Sequence, residues 1–289
     1  MSGSTWQHGV TVVTVTRDRP EFLLRAAKSV FAQEPKDLFV KHVIIGVECS
    51  QLNQWRDDYF DDLANPKDCR TLVCENVSRT PASAAASISA RCAALRMEAV
   101  RRHANTDFVA FLDDDNVLLP QHLTSLMSCA DMAPAVDLAY SHRLMFHNDG
   151  HLFRGDFFPW AVNDELQSNG LKVMTQGGIM VEESPVVFDT HLWDESSGYS
   201  GTVDTNEWLM RRSLLDSIPW PSDVTEREQQ NGIFEDGKFL RWPSDSVGAA
   251  TLLLRCRAER SALRASPSSW RDAALSSESP ASQLRRKPS

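Results

Sequence analysis

Asp107-Phe-Val-Ala-Phe-Leu-Asp-Asp-Asp-Asn116 reads as a short apolar strand that runs straight into three adjacent carboxylates. Working outward, Val10-Thr-Val-Val-Thr-Val-Thr16 is a β-branched run of buried-strand length, broken by Arg17-Asp-Arg-Pro20. From Glu21, the residues Phe22, Leu23, Ala26, Ala27, Val30 and Phe31 recur at helical spacing. Pro20 suits the start of that helix, where a missing N–H costs little. His42 to Val47 is a second strand and Leu72 to Cys74 a short third one. Ser83 to His103 is an Ala-rich helix ending in basic residues, and Pro120 opens another helix through about Ala130. Strands alternating with helices predict an α/β fold with parallel strands and right-handed crossovers.

The second half has a different texture. Leu138 to His147 and His151 to Phe158 are expected to be strands joined by the turn Asn148-Asp149-Gly150. Val203 to Ile218 carries Trp208, Leu209, Leu214 and Leu215 around Arg211 and Arg212, and Thr251 to Cys256 is a last strand. Beyond Ser261 there are nine Ser and three Pro in 29 residues without apolar periodicity, so 261–289 is expected to be a disordered tail. The expected domain is 1–260, with one half at about 8–130 and the other at about 131–260.

Composition narrows the function classes. Of 289 residues, 42% are hydrophobic and 24% charged, which excludes a wholly disordered chain, a collagen-like repeat or a disulfide miniprotein. A formal charge of −9 argues against nonspecific nucleic-acid binding. No apolar run is long enough for a transmembrane segment, and the first residues lack the pattern of a signal peptide, so a cytoplasmic location is expected. The six cysteines form no CxxC pair and are expected to be free thiols.

Chemistry concentrates at the strand end. Ligands of open α/β sheets bind beyond the carboxyl ends of strands. Three adjacent carboxylates there repel one another unless a cation or hydrogen bonds stabilise them, and hard oxygen donors suit Mn²⁺ or Mg²⁺. The plainer alternative is an acidic loop that caps the following helix. Later, Phe234-Glu235-Asp236-Gly237 offers paired acids, either as a general base or as helix N-terminal charges.

Taken in order, these segments resemble inverting family-two glycosyltransferases of the GT-A fold, across residues 8 to 255. The resemblance rests on Thr14-Val-Thr16-Arg-Asp-Arg-Pro20 with Ser29-Val-Phe-Ala-Gln33, then Gly46-Val-Glu48-Cys-Ser50 and Ala90-Arg91-Cys92. It continues through Asp113-Asp114-Asp115 and ends at Glu235-Asp236. It implies a Rossmann-like mixed sheet flanked by helices and a nucleoside-diphosphate sugar donor of hexosyl type. A hydroxyl-bearing acceptor, either a glycan or a small molecule, is the second substrate. The implied donor-binding set is Thr14, Thr16, Arg17, Glu48, Arg91, Asp113 and Asp114. Thr14 and Thr16 lie beside base and ribose, Glu48 contacts the same part, and Arg91 lies near the diphosphate. Asp113 touches the ribose or the metal's water shell, Asp115 binds the Mn²⁺ or Mg²⁺ ion, and Asp236, ahead of Glu235, is the base. A homo-oligomer is compatible with all of this.

Two other functions fit an α/β chain with paired acids: a nucleotidyltransferase, and a noncatalytic glycosyltransferase-like binding domain. The first usually carries a Gly-rich basic loop after its first strand, and Arg17-Asp-Arg-Pro20 has no glycine. His142, His147 and His151 read as strand and turn residues rather than zinc ligands. Phe157, Phe158 and Trp160 suit a core or a sugar-stacking face, and Trp193 and Trp208 are equally ambiguous. Arg211 and Arg212 are expected on a solvated helix face.

Overall fold

A computed structural model of the chain describes residues 7–60, 63–64, 66–78, 88–147, 151–159, 161, 163–189, 203–217, 220–221, 239 and 254–255. The turn 148–150, Trp160, Trp193, Glu235, Asp236 and the tail 261–289 lie outside the described residues. The chain divides into two compact units, one of 1–141 with 200–256 and one of 142–199 with 257–289.

The first unit is built on a sheet. Its strands begin with β1 (Gln7–Thr16), followed by α1 (Pro20–Phe31), β2 (Val40–Val47), α2 (Leu52–Trp55) and β3 (Arg70–Val77). Then come α3 (Ile88–His103), β4 (Thr106–Phe111), α4 (His122–Met132) and β5 (Leu138–Tyr140). The second unit contributes β6 (Arg143–Leu144), α5 (Asp164–Gln176) and β7 (Val186–Val187). The chain returns to the first unit in β8 (Trp208–Arg211), α6 (Arg212–Ser217) and β9 (Leu254–Arg255).

The spatial order is β3-β2-β1-β4-β8-β5-β9. The first four are parallel, with Val13 opposite both Val43 and Phe111; β8 is antiparallel to β4 and to β5. This is the Rossmann-like mixed sheet flanked by helices expected of a GT-A fold. Alternation along β1 explains the layering. Val10 and Val12 pack with Ala26 and Val30 of α1 and Leu123 and Leu126 of α4. Val13 packs on the opposite face with Ala99 and Val100 of α3 and Leu214 and Leu215 of α6. In α1, Leu23, Ala26, Ala27, Val30 and Phe31 are buried, so its apolar stripe is spent on the sheet. Full burial of Leu23 or Val30 contributes about 2 kcal/mol each.

The structure departs from the sequence pattern in three places. The strand expected at 138–147 is split: β5 stays in the main sheet, whereas β6 pairs with β7 in a separate ribbon. The hairpin beyond it amounts to one antiparallel bridge, Phe146 with Leu152, and the His147 N–H donates to the His151 carbonyl at 2.8 Å. Second, Arg211 and Arg212 are not on a solvated helix face. Trp208 and Met210 enter one core and Leu209 the other, a period of two that makes 208–211 a strand. Arg211 donates to the carbonyls of Val136 (3.0 Å) and Ala130 (2.9 Å), and Arg212 is buried and paired with Asp216. Third, Cys49, Cys69, Cys74 and Cys92 are free thiols, but Cys129 is disulfide-bonded, which corrects the all-free expectation. No helix of the described residues is long and apolar enough to cross a membrane.

Candidate functional site

Strand order places the site. β1, β2 and β3 run outward to one side, and β4 returns to the other side of β1, so the loops after β1 and β4 diverge at a topological switch point. The loops Arg17–Arg19 and Leu112–Asp115 leave the sheet there side by side. Because β8 is antiparallel to β4, the turn that precedes it, Asp204–Glu207, reaches the same edge.

Arg19 binds two members of the acidic block. Its Nε donates to Asp114 Oδ2 at 3.1 Å, its Nη2 donates to Asp114 Oδ1, and its Nη1 donates to Asp115 Oδ2 at 3.0 Å. Thr16 Oγ1 adds a 2.6 Å hydrogen bond to Asp114 Oδ2. Asp114 is therefore a buried anchor, 2% exposed, with both oxygens engaged. Burial opposes the charge on Arg19, but Asp114 and then Asp115 outweigh it and hold its pKa above the ordinary value.

Asp113 has a separate set of partners. Arg96 of α3 donates to its Oδ1, and Asn206 Nδ2 donates to its Oδ2 at 2.9 Å. The Asp113 backbone N–H donates to Asn206 Oδ1 at 2.5 Å, so one amide reads both the main chain and the carboxylate. Asp204 fixes that amide: its Oδ1 accepts from Asn206 N (3.1 Å) and Nδ2 (2.7 Å). Withdrawal from water raises the Asp113 pKa, with Asp204 and Asp115 adding to it against Arg96 and the Asn206 hydrogen bond. Arg96 also lies over the Phe111 ring at 5.7 Å, and Phe111 meets Trp220 edge-on. Trp220 stacks on Phe239, which stacks on the fully buried Trp208, so these rings form a rigid floor beneath the β4 end.

The other implied donor residues surround this core to different degrees. Glu48 follows β2 with φ +52° and is met by Arg17 Nη2 at 3.4 Å, a surface contact of little energetic weight. The backbone there is held by Asn76 Oδ1, which accepts from Cys49 N at 3.0 Å. Arg91 is half-buried on α3. Burial pushes the neighbouring Cys92 thiol up.

Thr14 is fully buried, with Oγ1 2.9 Å from His42 Nε2. Burial pushes the His42 pKa down to about 3, so the folded protein keeps this ring neutral while the unfolded chain protonates it near pH 6.5. A folded pKa below the unfolded one gives stability that is present above pH 6.5 and lost as pH falls toward 3. By pH 5 the loss from His42 should be roughly 2 kcal/mol. Urea titrations of wild type and of the paired variant Thr14→Val/His42→Leu, at pH 7 and pH 5, test this. Equal pH slopes in the two proteins would disprove it.

Arg19, Arg96, Asp204 and Asn206 had no assigned role in the sequence. One signal was available: Asp204-Thr-Asn-Glu207 has the spacing of a capping box, and the reciprocal bonds form, with Glu207 Oε2 accepting from Asp204 N at 3.0 Å.

Among the described residues, no three His, Cys, Asp or Glu side chains converge as a metal cage. The donors nevertheless suit a hard cation shared with a ligand. Asp115 is half exposed and has an oxygen beyond the one held by Arg19. Asp113, Asp114, Asp115 and Asp204 also outnumber the two guanidiniums among them by two, leaving room for added positive charge.

No protein-family model matches the chain, and no curated protein is similar to it in sequence. Among solved structures, it is similar to S. aureus TarS 1–349, at 14% identity and a TM-score of 0.48 over 85% of this chain and 58% of that one. TarS 1–349 in complex with UDP gives 14% identity, a TM-score of 0.46, and 77% and 53% coverage. The mannosyltransferase PcManGT from Pyrobaculum calidifontis, in complex with GDP-Man and Mn²⁺, gives 14%, 0.43, and 79% and 52%. The chain thus spans little more than half the length of each.

Proposed function

We propose that the protein is a metal-dependent inverting glycosyltransferase that moves a hexosyl group from a nucleoside-diphosphate sugar to an acceptor hydroxyl. The observation that carries this reading is the convergence of Arg19 and Arg96 on Asp113 to Asp115 at the switch point between β1 and β4. A nucleotide fits such a crevice, and its diphosphate needs guanidiniums and a cation to lie beside carboxylates.

Each residue then has a task. Thr16 and Asp114 keep the β1 and β4 loops in register. Arg17, Glu48 and Arg91 line the donor side, where the buried Thr14 acts through His42 on the strand rather than on the ligand. Asp115, with Asp113, would hold Mn²⁺ or Mg²⁺. When bound, such an ion supplies a Lewis acid that offsets charge developing on the β-phosphate. Arg96 and Asn206 set the Asp113 carboxylate in one orientation before the donor arrives. As the acceptor oxygen bonds to the anomeric carbon, the bond to the β-phosphate oxygen breaks on the opposite face. The hydroxyl proton passes to Asp236, or to Glu235, and the nucleoside diphosphate leaves.

A thermal-shift panel of UDP, GDP, dTDP and CDP with and without Mn²⁺ tests the donor class. One nucleotide should stabilise the protein, and more so with the metal. Silence from all four would refute the reading, and donor binding without hydrolysis or transfer would point to the noncatalytic alternative. Asp115→Ala should remove the Mn²⁺-dependent part of the shift and the turnover together. Wild-type Mn²⁺ dependence in that variant would exclude Asp115 as a ligand.

A further inference from the structure

We propose that Arg19 is a resident cation that competes with a divalent metal for the Asp115 carboxylate, and that the guanidinium released from Asp115 then serves the donor diphosphate. This rests on the function proposed above. The structural basis is the asymmetry of the Arg19 fork. Two of its N–H groups are committed to Asp114, which is buried and held again by Thr16. The third contact, Nη1 to Asp115 Oδ2 at 3.0 Å, joins two side chains that are 46% and 44% exposed. A screened surface pair of that kind exchanges readily, whereas the Asp114 pair does not.

Displacement therefore frees one N–H edge without releasing the side chain. The guanidinium stays tethered at the end of β4, with an unspent donor directed away from Asp114. A pyrophosphate oxygen is the natural replacement for Asp115, because guanidinium binds both anions through the same fork. Each ligand then helps the other. The metal releases Arg19 for the diphosphate, and the diphosphate gives Arg19 a partner that leaves Asp115 to the metal. That is positive cooperativity between the two, a favourable coupling free energy carried by one side chain. Arg96 cannot do the same, since it is mostly buried, with its Nη groups on Asp113 and Thr205 Oγ1 and its Nε shut away from solvent.

The test measures Mn²⁺ affinity directly, from the free-ion signal in electron paramagnetic resonance, on the full chain with and without each of UDP, GDP, dTDP and CDP. Arg19→Lys keeps a charge on Asp114 but has a point ammonium that cannot bridge both carboxylates. It should bind Mn²⁺ alone about 1.5- to 5-fold tighter than wild type, as expected for removal of one exposed ion pair. The tightening of Mn²⁺ binding by the active nucleotide should shrink by a similar factor. Arg19→Gln, neutral but still a hydrogen-bond donor, should move the same way. Unchanged or weaker Mn²⁺ binding in folded Arg19→Lys or Arg19→Gln overturns the proposal, and so does wild-type Mn²⁺ binding that is indifferent to all four nucleotides. In those cases the metal-site reading survives. No Mn²⁺ binding by wild type with any nucleotide would overturn both.

Discussion

Arg70→Met is expected to lower the unfolding free energy by about 3 kcal/mol, roughly 5 °C in melting temperature for a chain of this size. Arg70 opens β3 and is 2% exposed. Its guanidinium serves main-chain carbonyls: Nη2 donates to Gln33 O at 2.6 Å and Pro35 O at 3.3 Å, and Nη1 to Leu38 O and to Asp68 O at 3.3 Å. Nε adds a longer bond to Phe31 O at 3.4 Å. These donors replace water for the connection between α1 and β2, which has no ladder of its own. Burial lowers the Arg70 pKa despite Cys69, Asp68 and Asp37, so the charge is costly, and the carbonyls compensate for it. Methionine keeps the apolar stem but removes the guanidinium from the Gln33, Leu38 and Asp68 carbonyls, while Pro35 O keeps the Leu38 N–H at 3.1 Å and Phe31 O keeps Lys36 Nζ at 3.4 Å. Arg56→Met, which removes a surface pair with the adjacent Asp57, is the control and should cost under about 0.5 kcal/mol. A change of less than 1 kcal/mol in Arg70→Met, measured by urea unfolding, would show that water replaces the guanidinium.

Asp236→Asn is expected to reduce transfer by about 10²–10⁴ while donor binding persists, the range of a lost general base. Asparagine keeps the size and hydrogen-bonding capacity of aspartate but cannot take the acceptor proton. If Asp236 were only a helix N-cap, asparagine would cap nearly as well and turnover would barely change. Glu235→Gln is the internal control, because two sequence neighbours cannot both face one hydroxyl. An inactive Glu235→Gln beside a fully active Asp236→Asn would transfer the role to Glu235.

The parallel half of the sheet was readable because each of its elements is locally self-consistent. The β-branched run at Val10–Thr16, Pro20 before an apolar stripe, and Phe108–Phe111 before three aspartates each allow one secondary structure. Burial then follows from period: two in β1, three to four in α1. The stretch from Leu138 onward was not readable in the same way. β5 and β6 are three and two residues long and β8 four, too short for periodicity to separate strand from helix. Their states are set by neighbours, as when Leu209 and Met210 find opposite cores between β4 and β5.

At the candidate site the division is the same. By itself, the sequence determined that an acidic block follows a buried strand and that a basic loop follows another. Strand length and side-chain charge suffice for that. Only the tertiary structure decided that the two loops meet, because adjacency of β1 and β4 comes from pairing across some 98 residues. It also decided which carboxylate does what: Asp114 is consumed inside the fold by Thr16 and Arg19, Asp113 is clamped by Arg96 and Asn206, and Asp115 keeps an exposed oxygen. Three identical neighbours in sequence cannot be told apart by composition. They differ only because successive residues at a strand end point in different directions, toward partners brought there by β1, α3 and the turn before β8.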